Sequence, residues 1–192
     1  HDKARVDLKG RGSHNRVIQS LNLLRQEGRE PGVLAVCDPS TDPELIMHYF
    51  VDVLGIKHFD ILIPDATHED DPPSIGRYYK KLFDLWYYEY APRGIEVRYP
   101  KAMLKGLLGG RSGVEDIGYG PLYSITMLTD GSLEVNDVIR ITGTGSARTN
   151  FTIQTHNLQD ITTDPHWQEV YHASLNLCET CQTCAYHYAC GG

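Results

Sequence analysis

The sequence has no run of apolar residues long enough to cross a bilayer, which takes about 20 in succession for a helix. It has no block of lysine or arginine either: 18 basic residues are scattered among 25 acidic ones, for a net charge of −7. Nucleic acid binding calls for a basic stripe that replaces the counterions of the phosphates. The expectation is therefore no membrane and no nucleic acid among its partners. The opening residues HDKARVDLKG carry neither the apolar segment nor the small-residue cleavage site of a secretory signal, so cytoplasmic residence is expected. Internal repeats are lacking. Cysteine is scarce, five residues in 192, yet four of the five crowd into the closing stretch CETCQTCAYHYACGG. In a reducing compartment such a cluster points to metal rather than to disulfides. What is present, 41% hydrophobic residues, suffices for one sizeable core or a core with a small appendage.

Periodicity divides the chain into two textures. GSHNRVIQSLNLLRQEG places Val17, Leu21 and Leu24 on one helical face, with Ser13 as N-cap and Gly28 beyond the end. GVLAVCD is a short apolar run of the kind that forms a strand covered on both faces. TDPELIMHYFVDVLG predicts a helix with Thr41 and Glu44 in capping-box spacing, an early Pro43 and a closing Gly55. HFDILIPD predicts a second buried strand, SIGRYYKKLFDLWYYEYAPRG a third helix, and IEVRY a short strand. The stripe Tyr79, Leu82, Trp86 reads as core rather than as a peptide-binding surface. Strands alternating with helices imply right-handed crossovers and a parallel sheet. So few strands make an incomplete sheet, and the chain, which opens on His1, is expected to be an internal segment of a longer protein. From about Gly109 the texture becomes antiparallel: two apolar runs flank the hairpin signal Asp130-Gly131, GTGSARTN reads as a flexible loop, and TDPHWQEVYHASLN as a capped helix leading to the cysteines.

Cys178, Cys181, Cys184 and Cys190 are separated by two, two and five residues. Disulfides at these spacings would close small, strained loops, whereas four thiolates so close in sequence can converge on one centre. Zinc and an iron–sulfur cluster both accept four cysteines. Zinc sites usually join two widely separated Cys-x2-Cys knuckles, so the compact run favours iron and sulfide. Cys37, alone in an apolar run, reads as a small buried hydrophobe.

The end of the chain resembles the SPASM motif of radical S-adenosylmethionine enzymes, in which Cys-x2-Cys-x5-Cys leads into glycines: Cys181, Cys184 and Cys190 match, followed by Gly191 and Gly192. HDKARVDLKGRGSHNRVIQSLNLL is similar to the His-Asp-x-x-Arg segment and following helix midway through the barrel of those enzymes. GVLAVCDPSTDP, ILIPDATHEDDPP, LTDGSLEVNDVIRI and the cysteine tail resemble, in order, landmarks of SPASM peptide maturases that form cyclophane crosslinks, in particular the FxsB-like branch. The Cys-x3-Cys-x2-Cys motif that holds the family's catalytic cluster is not in the sequence, and the DGSLEVND region has no cysteine.

The resemblance implies an α/β fold: residues 1–108 as the C-terminal half of an incomplete radical SAM (β/α) barrel, and residues 109–192 as a β-hairpin followed by a truncated SPASM-like module. It implies a reduced [4Fe-4S] cluster that cleaves S-adenosylmethionine to a 5′-deoxyadenosyl radical. That radical takes a hydrogen from a side chain of a ribosomally made precursor peptide, and the carbon radical attacks a nearby aromatic ring. The catalytic cluster and most of the S-adenosylmethionine site belong to the N-terminal half of the enzyme, so this segment alone is expected to be inactive. Cys178, Cys181, Cys184 and Cys190 are the expected ligands of one auxiliary cluster, with Cys178 or a residue beyond the sequence as the fourth. Arg5 matches the Arg of the His-Asp-x-x-Arg segment and either pairs with the carboxylate of S-adenosylmethionine or makes an ordinary ion pair. Cys37, Asp38 and Ser40 follow the first strand at the barrel's carboxyl end, where their backbone would border the adenosine. Asp65 and His68 hold the equivalent place after the second strand and are expected as a proton acceptor or peptide contact, against a helix cap and a solvated acidic loop. A non-catalytic binding module whose four tail cysteines hold a structural zinc is the alternative, and a radical SAM enzyme acting on a protein or small molecule a third.

Overall fold

The computed structural model describes residues 1–67 and 69–191. Its first half is a parallel sheet with helical crossovers. Helix α1 (His14–Gln26) leads to β1 (Val33–Val36), α2 (Pro43–His48) to β2 (His58–Leu62), and α3 (Gly76–Leu85) to β3 (Glu96–Val97), in the order β1-β2-β3. The register sets Val33 beside Phe59, Leu34 beside Asp60, and Ala35 beside Ile61. Because side chains alternate along a strand, Phe59, Ile61 and Val97 face the helices. There they join Leu21, Met47, Ile56, Leu82 and Trp86 in the main core. The stripe Tyr79, Leu82, Trp86 is core, as its spacing predicts. Its polar ends are satisfied by strand backbone: Tyr79 Oη donates to the Ile61 carbonyl (2.7 Å) and Trp86 Nε1 to the Ile95 carbonyl (3.0 Å).

Several local expectations are corrected. Ser13 stands at the N-cap of α1 but does not cap it; its hydroxyl donates to the Arg5 carbonyl, and the Asp2 carboxylate accepts the His14 N–H (2.8 Å). The carboxylate is the better acceptor for the positive end of a helix. Only Leu21 of the α1 stripe is buried; Val17 and Leu24 remain 39% and 43% exposed. Asp42, not Thr41, caps α2 by accepting the Glu44 N–H, while Thr41 turns to Asp38. β1 is covered on one face only, because Leu34 and Val36 on its other face meet solvent. Helices α2 and α3 each run on into a π-helical turn, Tyr49–Val53 and Trp86–Tyr90.

Helix α4 (Arg98–Leu107) has no counterpart in the sequence expectations. Its first turn is capped from another strand: buried Asp60 on β2 accepts the Tyr99 N–H (3.0 Å) and Arg98 Nε (2.7 Å). Tyr99 and Ala102 of α4 pack with Val114, Ile117 and Leu62 in a small second cluster.

The second half is antiparallel, β4 (Thr126–Met127), β5 (Ser132–Glu134) and β6 (Arg148–Thr152) in that order. The expected hairpin closes at Gly131, whose N–H donates to the Leu128 carbonyl (2.9 Å) and whose φ of 84° suits glycine. The end of GTGSARTN is not loop: Arg148 to Asn150 begin β6, and Ala147 is fully buried with Leu133, Val135, Ile161 and Trp167. Helix α5 (Pro165–Ala173) is capped as expected, by Asp164 accepting the His166 and Trp167 N–H groups. No helix among the described residues is long and apolar enough to cross a membrane.

Candidate functional site

The loops that follow β1 and β2 leave the sheet at its carboxyl edge. Cys37 extends the β1 ladder through its N–H to the Leu62 carbonyl (2.8 Å), and its side chain belongs to the core. Burial, with the charge of Asp38 adding to it, pushes the Cys37 thiol up to about 11. That thiol is a packing group, as the sequence suggests, and any role at the edge falls to its backbone. Asp38 and Ser40 form a closed turn in which Asp38 Oδ1 accepts from Ser40 Oγ (2.6 Å) and the Ser40 N–H (3.0 Å). These bonds hold the Asp38 carboxyl below the usual range, and the Lys3 ammonium acts in the same direction. The N-terminal segment and the β1 loop are thus neighbours. Arg5 is exposed on that segment and makes no ion pair among the described residues; its carbonyl holds Ser13. Asp65 is exposed after β2. His68 lies outside the described residues.

The four tail cysteines are all free. Cys178 precedes a single turn, α6 (Glu179–Gln182), that carries Cys181; Cys184 follows it, and Cys190 ends a second turn, α7 (His187–Cys190). Hydrogen bonding to Cys178 raises the Cys181 thiol, and the charges of Cys178, Cys190 and Cys184 add to the effect. Backbone N–H groups of Cys181 and Thr180, with the Cys181 side chain, lower Cys178. The Tyr186 N–H points at Cys184 Sγ (3.4 Å). Four free thiols in one electrostatic neighbourhood, with amide donors toward sulfur, are a donor set suited to a thiolate-ligated centre. Among the described residues, however, no three His, Cys, Asp or Glu side chains already stand together as a metal site.

The tail does not hang free. Gly118 N–H donates to the Cys190 carbonyl (2.9 Å) and Tyr119 N–H to the Tyr188 carbonyl (3.2 Å). α7 lies against α4 where Gly106 meets Ala189, and Gly191 lies against the Gly118 backbone. The rings of Tyr119, His187 and Tyr188 pack on one another beside these contacts. Sequence reasoning missed Asp60, Arg98 and these glycines. The one available signal was a lone aspartate inside the apolar run FDILI.

No family model matches the chain. Over 120 residues, 57% of this chain and 32% of the relative, it is 28% identical to a cysteine-type anaerobic sulfatase-maturating enzyme of Clostridium novyi (strain NT). Native anSMEcpe with bound AdoMet matches it at TM-score 0.80 and 18% identity, over 100% of this chain and 54% of that one. Native anSMEcpe with bound AdoMet and Cp18Cys peptide matches at TM-score 0.79 and 17% identity, over 100% and 55%. The chain spans about a third of the curated relative and about half of the solved chains. From end to end it therefore has the fold that anSMEcpe shows over about half its length, and in sequence it is similar to a sulfatase-maturating enzyme.

Proposed function

We propose that this chain is part of a radical S-adenosylmethionine enzyme that modifies a ribosomally made precursor peptide, and that it supplies barrel strands together with a cysteine-bearing module. The observation that carries the reading is the agreement in fold along the whole chain with anSMEcpe, whose solved forms hold AdoMet and, in one, the Cp18Cys peptide. The landmark segments support the narrower reading of a cyclophane carbon–carbon crosslink. Cys178, Cys181, Cys184 and Cys190 would hold an auxiliary [4Fe-4S] cluster, which when bound supplies one-electron transfer or a rigid staple. The residues of this chain position and shield. The backbone of Cys37, Asp38 and Ser40, with Arg5, borders the S-adenosylmethionine site. Asp65 and His68 receive or hold a proton beside the peptide. The open edge of β1 takes further strands from the N-terminal half of the enzyme, enclosing the face that bears Leu34 and Val36 and excluding water from it.

Anaerobic reconstitution with iron and sulfide tests the metal claim. The expected product is brown, with about four iron per chain, and loses that colour in Cys181→Ala. Stoichiometric zinc in a colourless protein would instead establish the structural zinc module. Joined to a segment carrying Cys-x3-Cys-x2-Cys, the chain should cleave S-adenosylmethionine and remove two hydrogens from a precursor peptide; a peptide returned unchanged refutes the crosslinking reading.

A further inference from the structure

Tyr99, the second residue of α4, is 2% exposed, and three of its parts are engaged. Its N–H donates to buried Asp60 on β2 (3.0 Å), its ring meets that of Tyr79 (6.2 Å between centroids), and its Oη donates to Asp116 Oδ2 (2.8 Å). Phenylalanine would fill the same space, so packing does not call for the hydroxyl. Burying it is tolerated because a carboxylate accepts its hydrogen bond.

Asp116 belongs to a closed turn. Ser112 Oγ donates toward the Val114 (2.8 Å) and Ile117 carbonyls, Val114 and Ile117 pair as an antiparallel bridge, and both side chains are buried with Tyr99 and Ala102. Two residues beyond Asp116, the Gly118 N–H donates to the Cys190 carbonyl (2.9 Å), and a Cβ on Gly191 would stand 2.9 Å from the Gly118 carbonyl. Helix α4 therefore holds the Cys190 turn at two points, through Tyr99 and Asp116 at its start and through Gly106 against Ala189 near its end. Seven residues of helix set these points about 10 Å apart. Two separated contacts fix the orientation of a turn as well as its place, whereas one would leave it free to pivot.

We propose that Tyr99 and Asp116 are positioning residues for the thiolate site: their hydrogen bond sets the 112–118 turn on α4, and that turn sets Cys190. The identity of the bound group rests on the iron–sulfur reading; the seating of Cys190 does not. Amide hydrogen exchange of the metal-free chain, followed by NMR, tests it. In Tyr99→Phe and in Asp116→Ala the Gly118 and Gly191 amides should exchange about three- to tenfold faster, the factor for one hydrogen bond. Asp116→Asn keeps an acceptor for Oη and should exchange as wild type does. Tyr99→Phe combined with Asp116→Ala should exchange no faster than Asp116→Ala, because both delete the same bond. Tyr79→Phe removes another buried hydroxyl, bonded to the Ile61 carbonyl (2.7 Å), and should leave both amides at the wild-type rate. After reconstitution with iron and sulfide, a chelator should strip Tyr99→Phe faster than wild type by a similar factor, since groups that orient a metal ligand govern how well the metal is held. Wild-type exchange in Tyr99→Phe and Asp116→Ala, a matching rise in Tyr79→Phe, Asp116→Asn behaving as Asp116→Ala, additive effects in the double variant, or unchanged iron loss from Tyr99→Phe would each overturn the proposal. A wild-type chain that takes up no iron refutes the cluster reading instead, and the exchange rates alone then decide the seating of Cys190.

Discussion

Replacing Gly106 by alanine sets two effects of known sign against each other. Within a helix, alanine is favoured over glycine by about 1 kcal/mol, because it has less backbone entropy to lose. Against that, a Cβ on Gly106 would lie 2.7 Å from Ala189 Cα, 3.2 Å from its Cβ and 3.4 Å from the Tyr188 carbonyl oxygen. The nearest of these atoms is backbone and cannot swing aside, and forced overpacking costs about 1–3 kcal/mol. The clash wins or the tail moves. Movement carries Cys190 with it, because its carbonyl is bonded to Gly118 and Gly191 lies against that same backbone. Gly76 in the first turn of α3 meets nothing within 4 Å, so Gly76→Ala isolates the propensity gain. Thermal unfolding should therefore fall for Gly106→Ala and hold or rise for Gly76→Ala. For a chain of this size 1 kcal/mol is about 2–4 °C. Iron bound per chain after reconstitution should drop in Gly106→Ala alone. Equal stabilisation by both substitutions, with full iron content in each, would falsify the claim that α4 seats the cysteine tail.

Other expectations can be checked with simple measurements. Asp60→Ala removes the acceptor for the Tyr99 N–H and for Arg98 and should cost about 1–3 kcal/mol in denaturant unfolding, the range for leaving a buried donor unpaired; no loss would show that α4 caps itself. Burial pushes the Asp60 carboxyl up from its ordinary 3.8 against the opposing pull of Arg98 and the Tyr99 N–H. The folded state then holds this proton more tightly than the unfolded one, so wild-type stability relative to Asp60→Asn should fall as pH rises from about 3.8 to the raised folded value and level off above it. Asp164→Ala removes the acceptor of two N–H groups at the start of α5 and should cost about 1 kcal/mol. In metal-free protein at pH 8, iodoacetamide should modify the tail cysteines and spare Cys37, which is buried and has a thiol at about 11; mass spectrometry showing Cys37 modified as fast as the tail would contradict its place in the core.

The alternation of helices and apolar strands, the hairpin at Gly131, the Asp164-capped helix and the crowding of cysteines were legible in the chain. Each rests on neighbours in sequence: period 3.6 against period 2, a turn needing a left-handed residue, a cap followed by Pro165. Helix α4 was not legible, because its N-terminal acceptor is Asp60, thirty-eight positions back on another strand. The same holds at α1, where Ser13 has the right identity for a cap but Asp2 reaches the helix end first. GTGSARTN reads as loop by its glycines, yet Ala147 is drawn into the core with Leu133, Val135 and Trp167 and the residues after it pair with β5.

Local sequence thus decided which elements form and that four thiols travel together, since both depend on the order of side chains along a few turns of chain. Tertiary structure alone decided that α7, the turn that ends in Cys190, sits against α4 and that Asp60 caps α4 from β2. Contacts such as Gly106 with Ala189 join residues far apart in the chain, and only the folded backbone sets the distance between them.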